Sequence, residues 1–244
     1  MEIGLRKVIA AAVLLVLATV VPPLITSRIM PIPLNSSHTY IAHGDHTTLT
    51  RQIDTSDPGI KDEVKVHVQD TLKNDAGKTL ISVDDHLQLI RHSTYPVLDN
   101  NSSIAVTVLG KTDKRERFTR NGLQYFFPFN TERRSYDFYD VFAGDSAPLD
   151  YVRQDGDAYV YHQKREHVER TIWVEPKSGT ILNEVEHLTL PGIDTTLEWD
   201  QATQDAARTH ADRTKHTLQA LRIASFMLKL CAVLLIAVAL WRRR

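Results

Sequence analysis

Two long apolar runs bracket a chain whose middle alternates apolar and polar residues. The second run, Leu221 to Leu240, reads LRIASFMLKLCAVLLIAVAL and is interrupted only by Arg222 and Lys229. About 20 mainly apolar residues in helical geometry cross a bilayer core. In lipid a helix satisfies the backbone polar groups within the segment itself. The first run, Val8 to Ile25, is apolar apart from Thr19 and follows Arg6 and Lys7. It exceeds the usual apolar core of a signal peptide, so an uncleaved anchor is predicted, with cleavage near Thr26-Ser27 as the alternative. Pro22 and Pro23 withhold two backbone donors near its outer end, which predicts a bend or a stop there.

Between the runs the period is two. Val64, Val66 and Val68 alternate with Lys65, His67 and Gln69, the pattern of a half-buried strand. Asn74-Asp75-Ala76-Gly77 is turn chemistry and Thr79 to Val83 resumes a strand, so the two make an antiparallel hairpin. Ile104 to Leu109 is another strand. Asp150 to Gln163 reads strand, turn, strand. Arg170–Val174 and Thr180–His187 flank Glu175-Pro176-Lys177-Ser178-Gly179 as a hairpin, with Ile172, Val174, Ile181 and Val185 as its apolar positions. Thr195 to Trp199 is a last strand. Asp200 is an acceptable N-cap for a helix without Gly or Pro that runs on into the second apolar segment.

These elements predict a mainly β fold: a curved antiparallel sheet or half-barrel with a long C-terminal stalk helix, flanked by two transmembrane helices. The boundaries are an anchor over 1–27, a β domain over 28–199, a stalk over 200–220, a membrane helix over 221–241 and a basic end over 242–244.

Charge adds orientation. The chain has 29 Lys and Arg against 30 Asp and Glu, but residues 29 to 221 hold 21 against 29. Arg6 and Lys7 before the first apolar run, and Arg242, Arg243 and Arg244 after the second, predict both termini in the cytoplasm and an extracytoplasmic middle. An acidic middle argues against general nucleic-acid binding. Cys231, the single cysteine, lies within the second apolar run, so the β domain folds without an internal disulfide.

Candidate chemistry is sparse. His38, His43, Asp45 and His46 are metal-ligand residue types, but their spacing fits no closed zinc motif, and they are read as polar loop or strand. Asp84-Asp85-His86 offers paired carboxylates beside a histidine for acid–base or metal chemistry; its structural reading is an exposed strand end or turn. Lys111, Lys114, Arg115, Arg117 and Arg120 suit phosphate-bearing head groups, although Asp113 and Glu116 dilute them and a solvated hairpin loop is expected. Asn121 to Asp140 is the most distinctive stretch, with eight Phe, Tyr and Pro residues between Tyr125 and Tyr139. It is read as core of the sheet. As a ligand groove for sugar or acyl chain, its candidates are Tyr125, Phe127, Phe129, Arg133, Arg134, Tyr136 and Tyr139. No catalytic residue, metal ligand or cofactor is assigned.

Three strings carry a family resemblance: Tyr125-Phe126-Phe127-Pro128-Phe129-Asn130-Thr131-Glu132, Tyr136-Asp137-Phe138-Tyr139-Asp140 and Thr171-Ile172-Trp173-Val174-Glu175-Pro176-Lys177-Ser178-Gly179. With a membrane helix at each end, the chain resembles the actinobacterial two-pass PorA-like envelope proteins. The Trp-Val-Glu-Pro-x-x-Gly hairpin is also similar to one in periplasmic lipid carriers with a curved half-barrel. Family members often have a cysteine-containing segment ahead of the aromatic string; here His92 to Ser103 takes its place without a cysteine. The resemblance implies a cell-envelope protein of mycolate-bearing bacteria, linked to lipomannan and lipoarabinomannan maturation. Two helices enclose no pore, and the strands lack the repeated apolar alternation, about 10 residues long, of a lipid-facing barrel. The expected function is a membrane-tethered, non-enzymatic accessory protein that binds an envelope lipid or glycolipid, or a polytopic glycosyltransferase or transporter. An enzyme using Asp84, Asp85 or His86, and a scaffold oligomerising through its membrane helices, are the alternatives.

Overall fold

A computed structural model describes residues 2–241; the basic end Arg242–Arg244 lies outside the described residues. The chain opens with α1 (Glu2–Ile29) and closes with α2 (Gln201–Trp241). Between them run β1 (Ser37–Gly44), β2 (Thr47–Ser56), β3 (Glu63–Asn74), β4 (Thr79–Ile90), β5 (Ser102–Val108) and β6 (Lys111–Phe118). The second half contributes β7 (Tyr136–Asp140), β8 (Asp145–Asp155), β9 (Ala158–Lys164), β10 (Val168–Glu175), β11 (Thr180–Leu190) and β12 (Ile193–Trp199). Residues Pro31–Ala211 form one compact unit, and α1 with the part of α2 beyond Ala211 forms another.

The strands make one open antiparallel sheet of 12, in the order β6-β5-β4-β3-β2-β1-β12-β11-β10-β9-β8-β7. Each half is a meander of hairpins, and the halves join where β1 pairs with β12. The sheet is strongly curved, as expected. Neighbouring strands lie about 4.8 Å apart, so β5 and β10 would be remote on a flat sheet. Instead Ile104 and Val106 of β5 pack in one cluster with Val168 of β10 and Leu188 of β11. The outer edges also face each other: a Cβ on Gly144, in the β7–β8 turn, would lie 1.2 Å from Arg115 Nη1 of β6. The segment 119–135, between β6 and β7, sends Arg120, Leu123, Tyr125 and Phe127 into the interior, where all four are buried.

The predicted hairpins form with the expected turns, β3–β4, β8–β9 and β10–β11 among them. Four expectations change. Gly110 to Arg120 is not a solvated loop: Lys111–Phe118 is an edge strand whose charged residues conceal its alternation, a usual defence of a sheet edge. Asp84, Asp85 and His86 lie within β4, not at a strand end or turn. Val185 is not a core position; Glu184 and Glu186 are buried instead. A bulge between Trp173 and Val174 shifts the β10–β11 register, and a shift of one residue exchanges the faces.

The fourth concerns the prolines. Helix α1 does not stop at Pro22 and Pro23 but continues to Ile29. Pro22 cannot donate to Ala18, four residues back, and the Ala18 carbonyl instead accepts the Ser225 hydroxyl of α2 at 2.8 Å. Side-chain hydroxyls on a neighbouring helix commonly satisfy such freed groups. At the start of α2, Asp200 caps the helix, its carboxylate accepting from the Thr203 amide at 2.7 Å. The first turns lie back on the sheet, where Ala211 packs with Ala158, Leu182 and Trp173.

Candidate functional site

Strand alternation separates Asp84-Asp85-His86. Asp85 points inward and is fully buried, together with Arg120. Both Arg120 Nη atoms donate to its carboxylate at 2.7 Å, and the Tyr125 hydroxyl adds a third bond at 2.7 Å. Burial, and then the Asp85 charge, holds the Tyr125 phenol protonated well above its ordinary range. Asp84 and His86 point outward, where His67 joins them from β3. Asp85 therefore lies on the opposite face of the strand from Asp84 and His86.

A second ionic group crosses the interior. Arg51 of β2 binds Asp70 of β3 at 2.9 Å and Glu184 of β11 at 3.1 Å, tying the two halves of the sheet together. Arg170 binds Glu186 at 3.1 Å and lies over the Phe138 ring. Burial pushes the Asp70 carboxyl up. Burial, and then the Glu186 charge, does the same to Glu184. These groups border a cavity of about 40 Å³ between Leu49, Tyr125, Tyr139 and Leu188. That holds a few waters at most, against about 300 Å³ or more for a small-molecule pocket.

The three strings of the resemblance converge at one end of the sheet. The Glu175–Gly179 turn is built by the buried Glu175, whose carboxylate accepts from the amides of Lys177 and Ser178 and from the Ser178 hydroxyl. Gly179, at φ +68°, lies against the backbone of Phe127 and Pro128, where a Cβ would be 2.5 and 2.7 Å from their carbonyl oxygens. The Thr131 amide donates to the Pro176 carbonyl. Below this junction Phe127 packs against Tyr136, Phe138 and Tyr161, with ring centroids 5.3–6.3 Å apart. The Tyr161 hydroxyl donates to the Glu132 carbonyl, and the Glu132 amide donates to the Tyr136 hydroxyl.

The seven candidate residues thus fall into two sets. Tyr125, Phe127, Tyr136 and Tyr139 are buried. Phe129 is half-buried, and Arg133 and Arg134 are exposed. Arg133 lies 5.0 Å over the Tyr159 ring and donates to Gln154; Arg134 lies 4.4 Å over the Tyr136 ring and pairs with Glu132. The buried set holds a loop on which two cations rest on aromatic faces (cation–π contacts) at the surface.

Other candidates disperse. His43 lies near Asp200 and His46 binds Asp75, so the histidine-rich stretch does not converge. Of the basic run, Lys114 pairs with Glu116 outside, Arg115 with Asp113, and Arg120 is buried on Asp85. Sequence reasoning missed β1 and β2 as a hairpin and the inward Arg51, Asp70, Glu184 and Glu186. The period-two spacing of Glu184 and Glu186 between Leu182 and Leu188 was the available signal.

A family model described as Porin PorA matches residues 3–169 of the chain. A protein named Porin PorA from Corynebacterium amycolatum is 33% identical over 111 residues, covering 43% of this chain and 29% of that protein. Another of the same name, from Corynebacterium resistens, is 36% identical over 109 residues, covering 36% of this chain and 26% of that protein. The matched region is thus under a third of either relative's length. Among the described residues, two helices long and apolar enough to cross a membrane accompany these matches and fit a membrane protein.

Proposed function

The chain belongs to the Porin PorA family, and on that premise we propose that it is a membrane-tethered, non-enzymatic accessory protein of the cell envelope. In this reading it spans the plasma membrane twice, with both termini cytoplasmic and the β domain outside. It serves maturation of lipomannan and lipoarabinomannan, or envelope lipid handling, by engaging a glycolipid or a membrane glycosyltransferase or transporter.

The observation that carries this reading is the pair Arg133 and Arg134, exposed and laid on tyrosine rings. The cavity beside Arg51 and Arg170, about 40 Å³, admits neither an acyl chain nor a sugar ring, which supports recognition at the surface. Guanidinium groups suit phosphate by paired hydrogen bonds, and the rings beneath them hold the two guanidiniums at the surface. Phe129 completes the ligand-facing set, and Tyr125, Phe127, Tyr136 and Tyr139 hold it in place. Native mass spectrometry of the full chain from mild detergent, with pull-down from membranes, tests this. A co-purifying glycolipid or polytopic partner is expected; finding neither overturns the reading.

The relatives' name favours a second reading, a channel or scaffold assembled from several copies. Its support is a groove of about 430 Å³ between α1 and α2 that holds Thr26, Arg222, Ser225 and Lys229, polar groups that a fully lipid-facing surface does not favour. Conductance steps from the purified chain in planar bilayers, lost on Lys229→Leu, would favour it over the accessory role.

A further inference from the structure

On the outer face of β3 and β4, away from the arginine pair, two imidazoles and one carboxylate share a point. His67 and His86 are register partners. Their rings stack 4.1 Å apart and nearly parallel, at 7°. Both Nε2 atoms lie near the same Asp84 oxygen: His67 is hydrogen-bonded to it at 2.6 Å, and His86 is 3.5 Å away. One donor atom from each residue falls within 4.8 Å of the other two. We propose that His67, Asp84 and His86 form a binding site for a single divalent transition-metal ion of the zinc type.

Two imidazoles and a carboxylate are the ligand types that zinc takes, each about 2.0–2.2 Å from the metal. Ligand atoms at the corners of such a tetrahedron stand about 3.4 Å apart. The His86–Asp84 separation already matches, and the His67–Asp84 separation opens by a rotation of the half-exposed Asp84 side chain. The histidine backbones are held by the β3–β4 ladder, and the two half-exposed rings turn out of their stack so that both Nε2 lone pairs meet at one ion. The fourth coordination position faces solvent and takes water, as in open zinc sites. Lys114 senses the Asp84 charge but is paired with Glu116 at 2.6 Å, which offsets its repulsion of a cation. The site is not legible as a motif because His67 lies 17 residues before Asp84 and on another strand.

The test uses the full chain in detergent, titrated with zinc by calorimetry. One saturable ion per chain is expected, and cobalt in its place should give the intense visible bands of a four-coordinate site. His67→Ala and His86→Ala should each weaken binding at least about tenfold, while His46→Ala and His187→Ala leave it unchanged. All four side chains are partly or fully exposed, and circular dichroism checks that each variant is folded. Absence of saturable zinc binding overturns the proposal, as does binding indifferent to His67→Ala and His86→Ala or equally weakened by the control changes.

Discussion

Ser225 donates its hydroxyl to the Ala18 carbonyl oxygen at 2.8 Å, and Ala18 is the residue whose intrahelical partner Pro22 removes. The proline in one apolar helix and the serine in the other are thus two halves of one arrangement. Ser225→Ala should weaken helix pairing by about 0.6–2 kcal/mol, measured by denaturation in mixed micelles. In a Pro22→Ala background the same change should cost less, because residue 22 then supplies the missing donor. Equal costs in both backgrounds would mean that the bond does not answer the proline.

Gly179 invites a paired comparison with Gly77. Both have positive φ, +68° and +76°, but a Cβ at Gly77 meets nothing within 4 Å, whereas at Gly179 it meets two backbone carbonyls. Gly77→Ala should cost about 1 kcal/mol of backbone strain. Gly179→Ala should cost at least about 1–3 kcal/mol more, because the Phe127–Pro128 segment must move. Denaturant unfolding measures the difference, which vanishes if the two strings are not packed as described.

Asp85 and Asp84 test the division between structure and surface. Asp85→Ala leaves a buried guanidinium unpaired and should cost about 3–5 kcal/mol. Tyr125→Phe, which removes one hydrogen bond to the same carboxylate, should cost about 1–1.5 kcal/mol. Asp84→Asn, at a half-exposed position, should stay within about 0.5 kcal/mol. Thermal and denaturant unfolding of the full chain read all three.

Burial and the neighbouring Glu186 charge raise the Glu184 carboxyl above its usual value of 4.5. A carboxyl raised in the folded state binds its proton more tightly there than in the unfolded chain. Its stabilising contribution is therefore fully present below about pH 4.5 and lost as pH rises through the folded value. Glu184→Gln keeps a neutral side chain at every pH. Its stability relative to the parent chain should rise between pH 4 and pH 7, in equilibrium unfolding at a series of pH values. A flat or falling difference would contradict the assignment.

The legible part of the fold is the part whose alternation is apolar. Val64, Val66 and Val68 announce β3, and the Glu175–Gly179 turn announces β10–β11. Strand β6 was hidden because Lys111 to Phe118 is charged on both faces, and an edge strand needs no apolar stripe. Glu184 and Glu186 were hidden because a carboxylate in a core is expected only if its cation is known, and Arg51 lies 133 residues from Glu184. Of the candidate site, the aromatic string was evident from composition. Its separation into buried tyrosines and exposed arginines was not, because it depends on residues 119–135 entering the sheet as a loop joined to β7 only through the Leu123–Phe138 bridge.

Complementation of a deletion strain by the double variant Arg133→Glu, Arg134→Glu tests the surface-recognition account most directly. Both side chains are exposed, so the variant should still fold and accumulate, melting below the parent by about 1–2 kcal/mol for the two lost cation–π contacts. If the arginine pair recognises the glycolipid as proposed, the double variant leaves lipoarabinomannan truncated, while the parent chain restores full length. Full restoration by a stably expressed double variant would contradict it.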